Sequence, residues 1–261
     1  MTLYIIIGIL LTFLVLWSGV SKKQYLFVVF LILLVLFLDQ GLKFWVKTNM
    51  EYDQSIPLLG LDWAYLRFVE NNGMAFGISL GGDYGKLALS LFRILAVIFL
   101  FYFIIRLVKL NLSMGFLASF SLILAGALGN IIDSAFYGII FSASNYHGGL
   151  ATLFPVEGGY SSFLHGKVVD MFYLPMFRGR YPEWMPLIGG NSYLFFRPIF
   201  NIADSAITLG VLSIILFYRR FFAAIDERSV EEKQVFQSAV DNPNSTSDNE
   251  SQNSEPQQTE E

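Results

Sequence analysis

Residues 200–218 read FNIADSAITLGVLSIILFY, and this stretch decides the fold of the chain. The part from Ala206 to Tyr218 is apolar and, with its flanking residues, approaches the roughly 20 residues that a helix needs to cross a bilayer. Asn201 and Asp204 stand at its mouth, and their spacing places both polar side chains on one face of a helix. A carboxylate at the edge of a membrane span is costly, so it indicates a functional site whose partner lies elsewhere in the chain.

The composition is that of an integral membrane protein. Of the 261 residues, 54% are hydrophobic and 16% are aromatic, and the mean hydropathy of +0.54 is far above that of a soluble domain. Cysteine is absent and the only histidines are His147 and His165, which excludes thiolate nucleophiles and leaves a zinc protease almost without ligands. We therefore expect no metal and no cofactor, and catalytic groups limited to carboxylates, amides, hydroxyls and a few basic side chains.

Four more apolar segments precede Ala206–Tyr218. They are Leu3–Trp17, Tyr25–Leu38, Leu87–Ile105 and Ser113–Ile132. The last three complete a set of four core transmembrane helices, so the predicted fold class is an all-α polytopic membrane protein. Residues 1–20 lack a basic start and a small-residue cleavage site, which favours a fifth span over a signal peptide. A start codon assigned too early, with the protein beginning near Ser21, is a third interpretation.

Basic residues orient these helices in the membrane. Three clusters flank the core segments: Lys22-Lys23, Arg106 with Lys109, and Arg219-Arg220. The positive-inside rule places all three clusters in the cytoplasm. The opposite ends of three helices carry Asp39, Asp133 and Asp204, so carboxylates gather at the extracytoplasmic face. A transporter, by contrast, should distribute its charges through the membrane depth.

The outer regions and the tail complete the predicted organisation. Residues 61–69, LDWAYLRFV, have strand character and precede a turn signal at Asn71-Asn72-Gly73, which predicts a small β-rich cradle at the membrane surface. Residues 226–261 hold ten acidic residues against Arg228 and Lys233, and their polar composition predicts a disordered cytoplasmic tail. The predicted domains are an extra span at 1–20, a membrane domain at 21–225 and the acidic tail.

Three apolar-flanked carboxylates carry the candidate chemistry. The pattern Asn-x-x-Asp occurs at 130–133 and at 201–204, and Asp170 follows two valines. Two carboxyl groups that approach each other in a low-dielectric site share one proton, so one activates water while the other protonates a substrate carbonyl, as in aspartic proteases. The residues alone leave two alternatives open. One is a proton-coupled transporter; the other is a helix cap, in which Asn201 is the cap and Asp204 favours the positive helix end.

Five separated motifs follow one another along residues 25–218. They are Asp39-Gln40-x-x-Lys43, Asn71-x-Gly73-x-Ala75-Phe76, Gly126-Ala127-Leu128-Gly129-Asn130-x-x-Asp133, Val168-Val169-Asp170 and Phe200-Asn201-x-Ala203-Asp204-Ser205. Together they resemble the lipoprotein signal peptidase, or signal peptidase II, family of bacterial membrane aspartyl proteases. The resemblance implies a monomeric multi-pass hydrolase of the inner membrane that cleaves diacylglyceryl-prolipoproteins before the lipidated cysteine. Its expected partners are that substrate and membrane lipids, and no nucleic acid.

The resemblance also implies a role for each matching residue. Asp170 and Asp204 correspond to the catalytic dyad. The residues implied to support the dyad or to bind substrate are Asn71, Gly73, Asn130, Asp133, Asn201, Asp39 and Lys43. Within this set, Asp39 and Lys43 match a pair that is either structural or in contact with lipid headgroups, and an interfacial ion pair is the alternative.

Two features depart from the family pattern. Ser134 stands where family members usually have Arg, and Lys167 or Arg197 is a candidate to replace that cation. Gly138–Gly166 is an insertion rich in glycine and aromatic residues, longer than the connection that the family normally has. The insertion is either a lid or partner-binding loop over the site or a solvated surface loop, and the solvated loop is the favoured interpretation.

Overall fold

Helices make up most of the described chain. The computed structural model describes residues 22–72, 82–110, 112–146 and 149–218. Its long helices are α1 (Lys22–Asn49), α2 (Gly82–Lys109), α3 (Met114–Ile132) and α4 (Ile202–Phe217). The first three, with α3 counted to Ile140, are long and apolar enough to cross a membrane, and α4 is a shorter apolar helix. The span predicted at 1–20 and the tail predicted at 226–261 lie outside the described residues.

Helix α1 is longer than the sequence predicts. The apolar pattern predicts an end near Leu38, whereas the helix continues to Asn49. The added part carries Asp39, Lys43 and Lys47, which recur every four residues, lie on one face and are buried. The end that the apolar segment Tyr25–Leu38 predicts for this helix is therefore too early. A hydropathy profile ends a predicted span where charged residues begin. Here the charged side chains contact partners in neighbouring elements, and the helix includes them.

Helix α3 packs closely against α1 and α4 at two glycines. A side chain at Gly126 would overlap the carbonyl oxygen of Ala203 in α4, and a Cβ at Gly129 would lie 2.6 Å from Oδ2 of Asp39 in α1. Only glycine permits this approach of helix backbones. The next residue along α3, Asn130, is thereby brought to the start of α4. All of these residues belong to the compact unit that extends to Leu212.

Six strands accompany the helices in the described residues: β1 (Ser55–Pro57), β2 (Tyr65–Asn71), β3 (Val168–Tyr173), β4 (Phe177–Arg180), β5 (Ser192–Phe195) and β6 (Ile199–Phe200). Four of them form an antiparallel sheet in the order β1-β2-β3-β6, and a separate hairpin pairs β4 with β5. Val46 of α1 and Met50, the residue after this helix, pack with Phe68 and Met171 of the sheet in one buried core. The strand predicted within 61–69 is thus confirmed, although Gly73 of the predicted turn lies outside the described residues.

The insertion after α3 packs against the rest of the fold. Helix α3 runs into a π-helical turn, Asp133–Tyr137, and a last helical turn to Ile140. The far end of the insertion returns to this turn, where the N–H of Gly166 donates to the carbonyl of Ser134 at 2.8 Å. Most of the described residues of the insertion are exposed, as predicted for a solvated surface loop. Among the described residues, the buried side chains of the insertion are Phe141, Ser144 and Ala151, and the prediction is wrong for these.

Candidate active site

Asn201 and Asp204 form a reciprocal cap at the start of α4. The N–H of Asp204 donates to Oδ1 of Asn201 at 2.9 Å, and the N–H of Asn201 donates to Oδ2 of Asp204 at 3.3 Å. Each side chain accepts from the backbone of the other, which is the capping-box arrangement. The helix-cap interpretation of the sequence is confirmed, and the cap fixes both side chains at the mouth of the apolar helix.

The amide of Asn201 also reaches a second carboxyl group. Its Oδ1 is engaged by the backbone of Asp204, so its Nδ2 faces β3 and donates to Oδ1 of Asp170 at 2.7 Å. Nδ2 of Asn71, the last residue of β2, donates to Oδ2 of Asp170 at 3.3 Å. Each oxygen of Asp170 therefore has an amide donor, one from a helix cap and one from a strand.

Asp204 receives its own amide donor from α3. Nδ2 of Asn130 donates to Oδ1 of Asp204 at 2.9 Å. The direction of this amide is set by Lys43, whose Nζ lies 3.0 Å from Oδ1 of Asn130. Because an ammonium group can only donate, the oxygen of Asn130 must face Lys43 and its NH₂ group must face Asp204.

Lys43 is the centre of a buried charge cluster. Its Nζ lies 2.9 Å from Oδ2 of Asp39 and 2.8 Å from Oδ2 of Asp133, and these side chains are at most 1% exposed. With Asn130, the two carboxylates supply one acceptor for each of the three ammonium hydrogens. Groups buried to this extent do not contact lipid headgroups, so that part of the prediction for Asp39 and Lys43 is wrong. They form an ion pair inside the fold.

Asp39 and Asp133 hold the backbone on either side of the site. Oδ1 of Asp39 accepts from the N–H of Ala203 in the first turn of α4 at 2.9 Å. Oδ2 of Asp133 accepts from the N–H of Val169 in β3 at 3.2 Å. Ala203 directly precedes Asp204 in the sequence, and Val169 directly precedes Asp170. The cluster around Lys43 therefore helps to set the separation between β3 and α4.

Gln40 also belongs to this network, although it was not among the predicted site residues. Its Nε2 donates to Oδ1 of Asp133 at 2.8 Å and to Oδ2 of Asp39 at 3.1 Å, and its Oε1 accepts from the hydroxyl of Tyr137 at 3.3 Å. The available signal was its place beside Asp39 in the first motif. Two neighbouring buried carboxylates need donors beyond one lysine, and a glutamine next to one of them can supply these.

The environment changes the acidity of Asp170. Burial, with the added effect of the charge on Asp204, raises the pKa of Asp170 to about 7, while the hydrogen bond from Asn71 acts in the opposite direction. Asp170 is only 5% exposed, whereas Asp204 is half-buried. A carboxyl group with this pKa is still largely protonated just below neutral pH, which is what a general acid requires.

Besides Lys43, a second basic residue acts on these carboxylates, and it is not one of the two predicted to replace the family arginine. Lys167 lies 3.6 Å from Oε2 of Glu70, and Arg197 is exposed. Arg93 of α2 is instead a cation whose charge interacts most strongly with Asp204. The sequence did offer a signal for Arg93, because an arginine inside an apolar helix is a functional candidate by default.

Ser134 has a structural role at the position where the family pattern has Arg. The side chain is buried, and its hydroxyl donates to the carbonyl of Asn130 at 3.0 Å. Its own carbonyl accepts from Gly166 of the insertion. The far end of the insertion therefore contacts the backbone of Ser134.

The central part of the chain matches a known protein family. Residues 31–220 match the family model described as signal peptidase (SPase) II. The chain belongs to the signal peptidase II family. A lipoprotein signal peptidase from Porphyromonas gingivalis is 51% identical over 191 residues, which cover 73% of this chain and 81% of that protein. A lipoprotein signal peptidase from Amoebophilus asiaticus is 41% identical over 187 residues, which cover 70% and 74%.

Among solved structures, a bacterial membrane enzyme determined at 2.3 Å by the in meso method is 26% identical to this signal peptidase II family member. The alignment covers 77% of this chain and 89% of that enzyme, with a TM-score of 0.48. Family membership confirms the resemblance seen in the five motifs, and it makes the chain a protease. Together with the apolar helices, it makes the chain a bacterial multi-pass membrane protein.

The predicted site residues come together in one hydrogen-bonded network. Its members are Asp39, Lys43, Asn71, Asn130, Asp133, Asp170, Asn201 and Asp204. Gly73 lies outside the described residues. The individual roles that the resemblance implies for these residues stay predictions.

Proposed function

We propose that this chain is an aspartic endopeptidase in which Asp170 and Asp204 form the catalytic pair. The observation that carries this proposal is their electrostatic coupling, since the charge of Asp204 adds to burial in raising the pKa of Asp170 to about 7. A buried carboxyl group beside a second one keeps its proton up to near-neutral pH, so Asp170 has a proton to donate. Asp133 is the poorer partner because Lys43 and Gln40 engage its two oxygens inside the fold.

The proposed reaction begins with the proton on Asp170. The carboxylate of Asp204 removes a proton from water as the water oxygen attacks the scissile carbonyl carbon, and Asp170 gives its proton to the carbonyl oxygen. In the second half, Asp204 returns its proton to the leaving nitrogen while Asp170 takes one from the tetrahedral diol. The C–N bond breaks, and the pair regains its starting protonation.

Amide groups hold the pair in place during this exchange. Asn201 and Asn71 donate to Asp170, and Asn130 donates to Asp204. Neutral donors can bind both the protonated and the ionised form of a carboxyl group, so they keep the geometry without fixing the proton. A lysine in their place would favour the ionised form and oppose the acid role. Lys43 affects Asp204 indirectly, because it orients the amide of Asn130.

We further propose that the substrate is a diacylglyceryl-modified prolipoprotein, cleaved before the lipidated cysteine. Family membership and the name of the relatives, lipoprotein signal peptidase, support this substrate. The capped end of the apolar helix α4 carries Asp204, and the positive-inside rule assigns this end to the extracytoplasmic face. A signal peptide is itself an apolar helix, so it would reach the pair laterally without leaving the bilayer.

Cleavage of a purified diacylglyceryl-prolipoprotein by wild type, Asp170→Asn and Asp204→Asn tests the pair. Each variant should lose turnover by about 10³-fold or more, as expected when one member of a concerted pair is removed. Circular dichroism and size-exclusion chromatography check that the variants are folded. Asp62→Asn is the matched control, because Asp62 is an exposed carboxylate outside the network. Substantial turnover by either site variant would remove that residue from the pair.

The same assay with an unlipidated prolipoprotein tests the substrate class. The lipidated form should be the much better substrate if the diacylglyceryl group positions the cleavage point beside the pair. Equal cleavage of the two forms would leave an aspartic endopeptidase but would contradict the lipoprotein assignment.

A further inference from the structure

A second buried ion pair lies one helical turn from Lys43. Nζ of Lys47 contacts Oε1 of Glu70 on β2, and the two side chains are 0% and 1% exposed. The hydroxyl of Ser144 lies 3.0 Å from Nζ of Lys47 and 3.3 Å from the same oxygen of Glu70. The proposed chemistry uses none of these groups. Because removing two charges from water is costly, a pair in this place requires an explanation other than stability alone.

Three aromatic rings surround the ammonium group of Lys47. Its Nζ lies 5.9 Å from the ring centroid of Phe68, 5.2 Å from that of Phe141 and 5.1 Å from that of Tyr160. These distances are within the range of cation–π attraction. Two of the rings, and Ser144, belong to the insertion Gly138–Gly166, so the insertion supplies much of the enclosure around the pair.

The strands next to the pair carry two residues of the site. Glu70 directly precedes Asn71 on β2, and the amide of Asn71 donates to Asp170 on β3. The hydroxyl of Tyr160 accepts from the N–H of Lys167 at 2.6 Å, immediately before β3 begins. The ion pair thus contacts β2, and the insertion contacts β3, close to the point at which the two strands bring Asn71 and Asp170 together.

The insertion is also closed on itself at its base. The N–H of Tyr160 donates to the carbonyl of Phe141 at 3.0 Å, and the N–H of Ser161 donates to the carbonyl of Gly138 at 2.9 Å. A side chain at Gly159 would overlap the carbonyl oxygen of Gly138. The two arms of the insertion therefore cannot separate without breaking the enclosure around Lys47.

We propose that the insertion is a brace for the catalytic pair, which encloses Lys47 and Glu70 and thereby fixes β2 against β3 so that Asn71 meets Asp170. Lys47, Glu70 and Tyr160 are positioning residues in this arrangement. The inference rests on the proposed function, because it assigns them a part in the peptidase reaction. If the pair served only to fill space, apolar side chains could replace it without effect on turnover.

The double variant Lys47→Met/Glu70→Leu separates positioning from packing. No buried charge is left unpaired, so the variant should fold with a thermal midpoint close to that of wild type. The brace predicts a kcat lower by about tenfold or more with a KM changed by less than about twofold, because the variant alters the positioning of the catalytic pair and not substrate binding. A wild-type kcat in this folded variant would overturn the proposal.

Tyr160→Phe is the second variant and covers the case in which the double variant does not fold. It keeps the ring over Lys47 and removes only the hydroxyl that accepts from Lys167. We expect a lower kcat, an unchanged KM and faster hydrogen exchange at the backbone amides of residues 168–171. Unchanged exchange together with an unchanged kcat would overturn the brace.

The matched control is Asp53→Asn. Asp53 pairs with Arg67 of β2 at 2.7 Å, but both side chains are 32% exposed. Loss of this exposed pair on the same strand should leave kcat and the exchange at 168–171 unchanged. An equal loss of kcat in the control would show general sensitivity of the sheet and would contradict the specific role of Lys47 and Glu70.

Hydrogen exchange also distinguishes failure of the brace from failure of the proposed function. If wild type does not cleave a lipidated prolipoprotein, the proposed function fails, and the exchange at 168–171 in Tyr160→Phe still decides whether the insertion holds β3. If wild type cleaves and the folded double variant cleaves equally well, the brace alone fails.

Discussion

Asn201 donates from Nδ2 to Oδ1 of Asp170 at 2.7 Å, and this bond joins the cap of an apolar helix to a strand of the sheet. The Oδ1 atom of the same side chain accepts the N–H of Asp204. A helix cap needs only an oxygen acceptor. Capping does not require the hydrogen bond from Nδ2 to Asp170. Asn201 therefore stabilises the helix through Oδ1 and holds Asp170 through Nδ2.

Substitution of Asn201 should separate these two contributions. Asn201→Ser keeps a capping oxygen and loses the amide donor, so we expect a thermal midpoint near that of wild type and a fall in kcat on the order of 10²-fold. Asn201→Ala loses both, and should in addition lower the free energy of unfolding by about 1 kcal/mol. Thermal denaturation in detergent and prolipoprotein cleavage measure the two effects. Full activity of Asn201→Ser would show that the bond to Asp170 is incidental.

The sequence predicted the members of this network better than their arrangement. The Asn-x-x-Asp spacing at the start of an apolar helix, together with the energetic cost of placing a carboxylate there, was enough to indicate Asn201 and Asp204. The choice of Asp170 over Asp133 as the second carboxyl group came only from the family resemblance. The structure adds a physical reason, because Asp133 is enclosed with Lys43 whereas Asp170 is flanked by amides. That difference depends on which helices touch, and local spacing does not contain it.

The extension of α1 and the packing of the insertion were not predicted, for related reasons. Hydropathy counts Lys43 and Lys47 as polar, but tertiary contacts bring Asp133 to Lys43 and Glu70 to Lys47, and paired charges remain inside the fold. The glycine and aromatic content of the insertion is compatible with a loop or with a packed segment. The deciding partner, Lys47, lies about 100 residues earlier in the chain.

Replacing Lys43 alone should lower the stability of the protein more than replacing Lys43 and Asp133 together. Lys43→Met leaves Asp39 and Asp133 buried without their shared cation, and we expect a loss of about 3–5 kcal/mol of stability. Adding Asp133→Asn removes one of the two uncompensated charges and should restore part of that loss. Activity should not return, because the amide of Asn130 is no longer oriented toward Asp204. Thermal midpoints of the single and double variants measure the rescue, and no rescue would contradict the charge argument.

Close packing of α3 on α4 makes Gly126 a sensitive position. A Cβ there would overlap the carbonyl oxygen of Ala203, a backbone atom that cannot rotate away. Gly126→Ala should cost about 1–3 kcal/mol and lower activity by displacing the start of α4. Gly41→Ala is the control, since nothing lies within 4 Å of a Cβ at Gly41, and alanine in a helix should be neutral or stabilising by about 0.5–1 kcal/mol. Similar midpoints for the two variants would show that α3 and α4 have room to separate.

The proton on Asp170 should give the reaction an alkaline limit. With a pKa of about 7 in the free protein, the proposed acid loses its proton as the pH rises through that value, and kcat/KM should fall about tenfold for each further pH unit. A profile of kcat/KM for prolipoprotein cleavage from pH 5 to 9 measures this limit. Constant kcat/KM across that range would mean that Asp170 does not donate the proton.

The same proton should make stability depend on pH with a defined sign. The pKa of Asp170 rises from 3.8 to about 7 on folding, so between these values the folded protein holds a proton that the unfolded chain has released. Its contribution is therefore full below about pH 4 and is lost as the pH rises through about 7. Asp170→Asn cannot titrate, so the thermal midpoint of wild type minus that of the variant should decrease steadily from pH 4 to 7 and then level off. A difference that stays constant with pH would mean that the pKa of Asp170 is the same in the folded and unfolded protein, and the carboxyl group would then be ionised at neutral pH and unable to act as the acid.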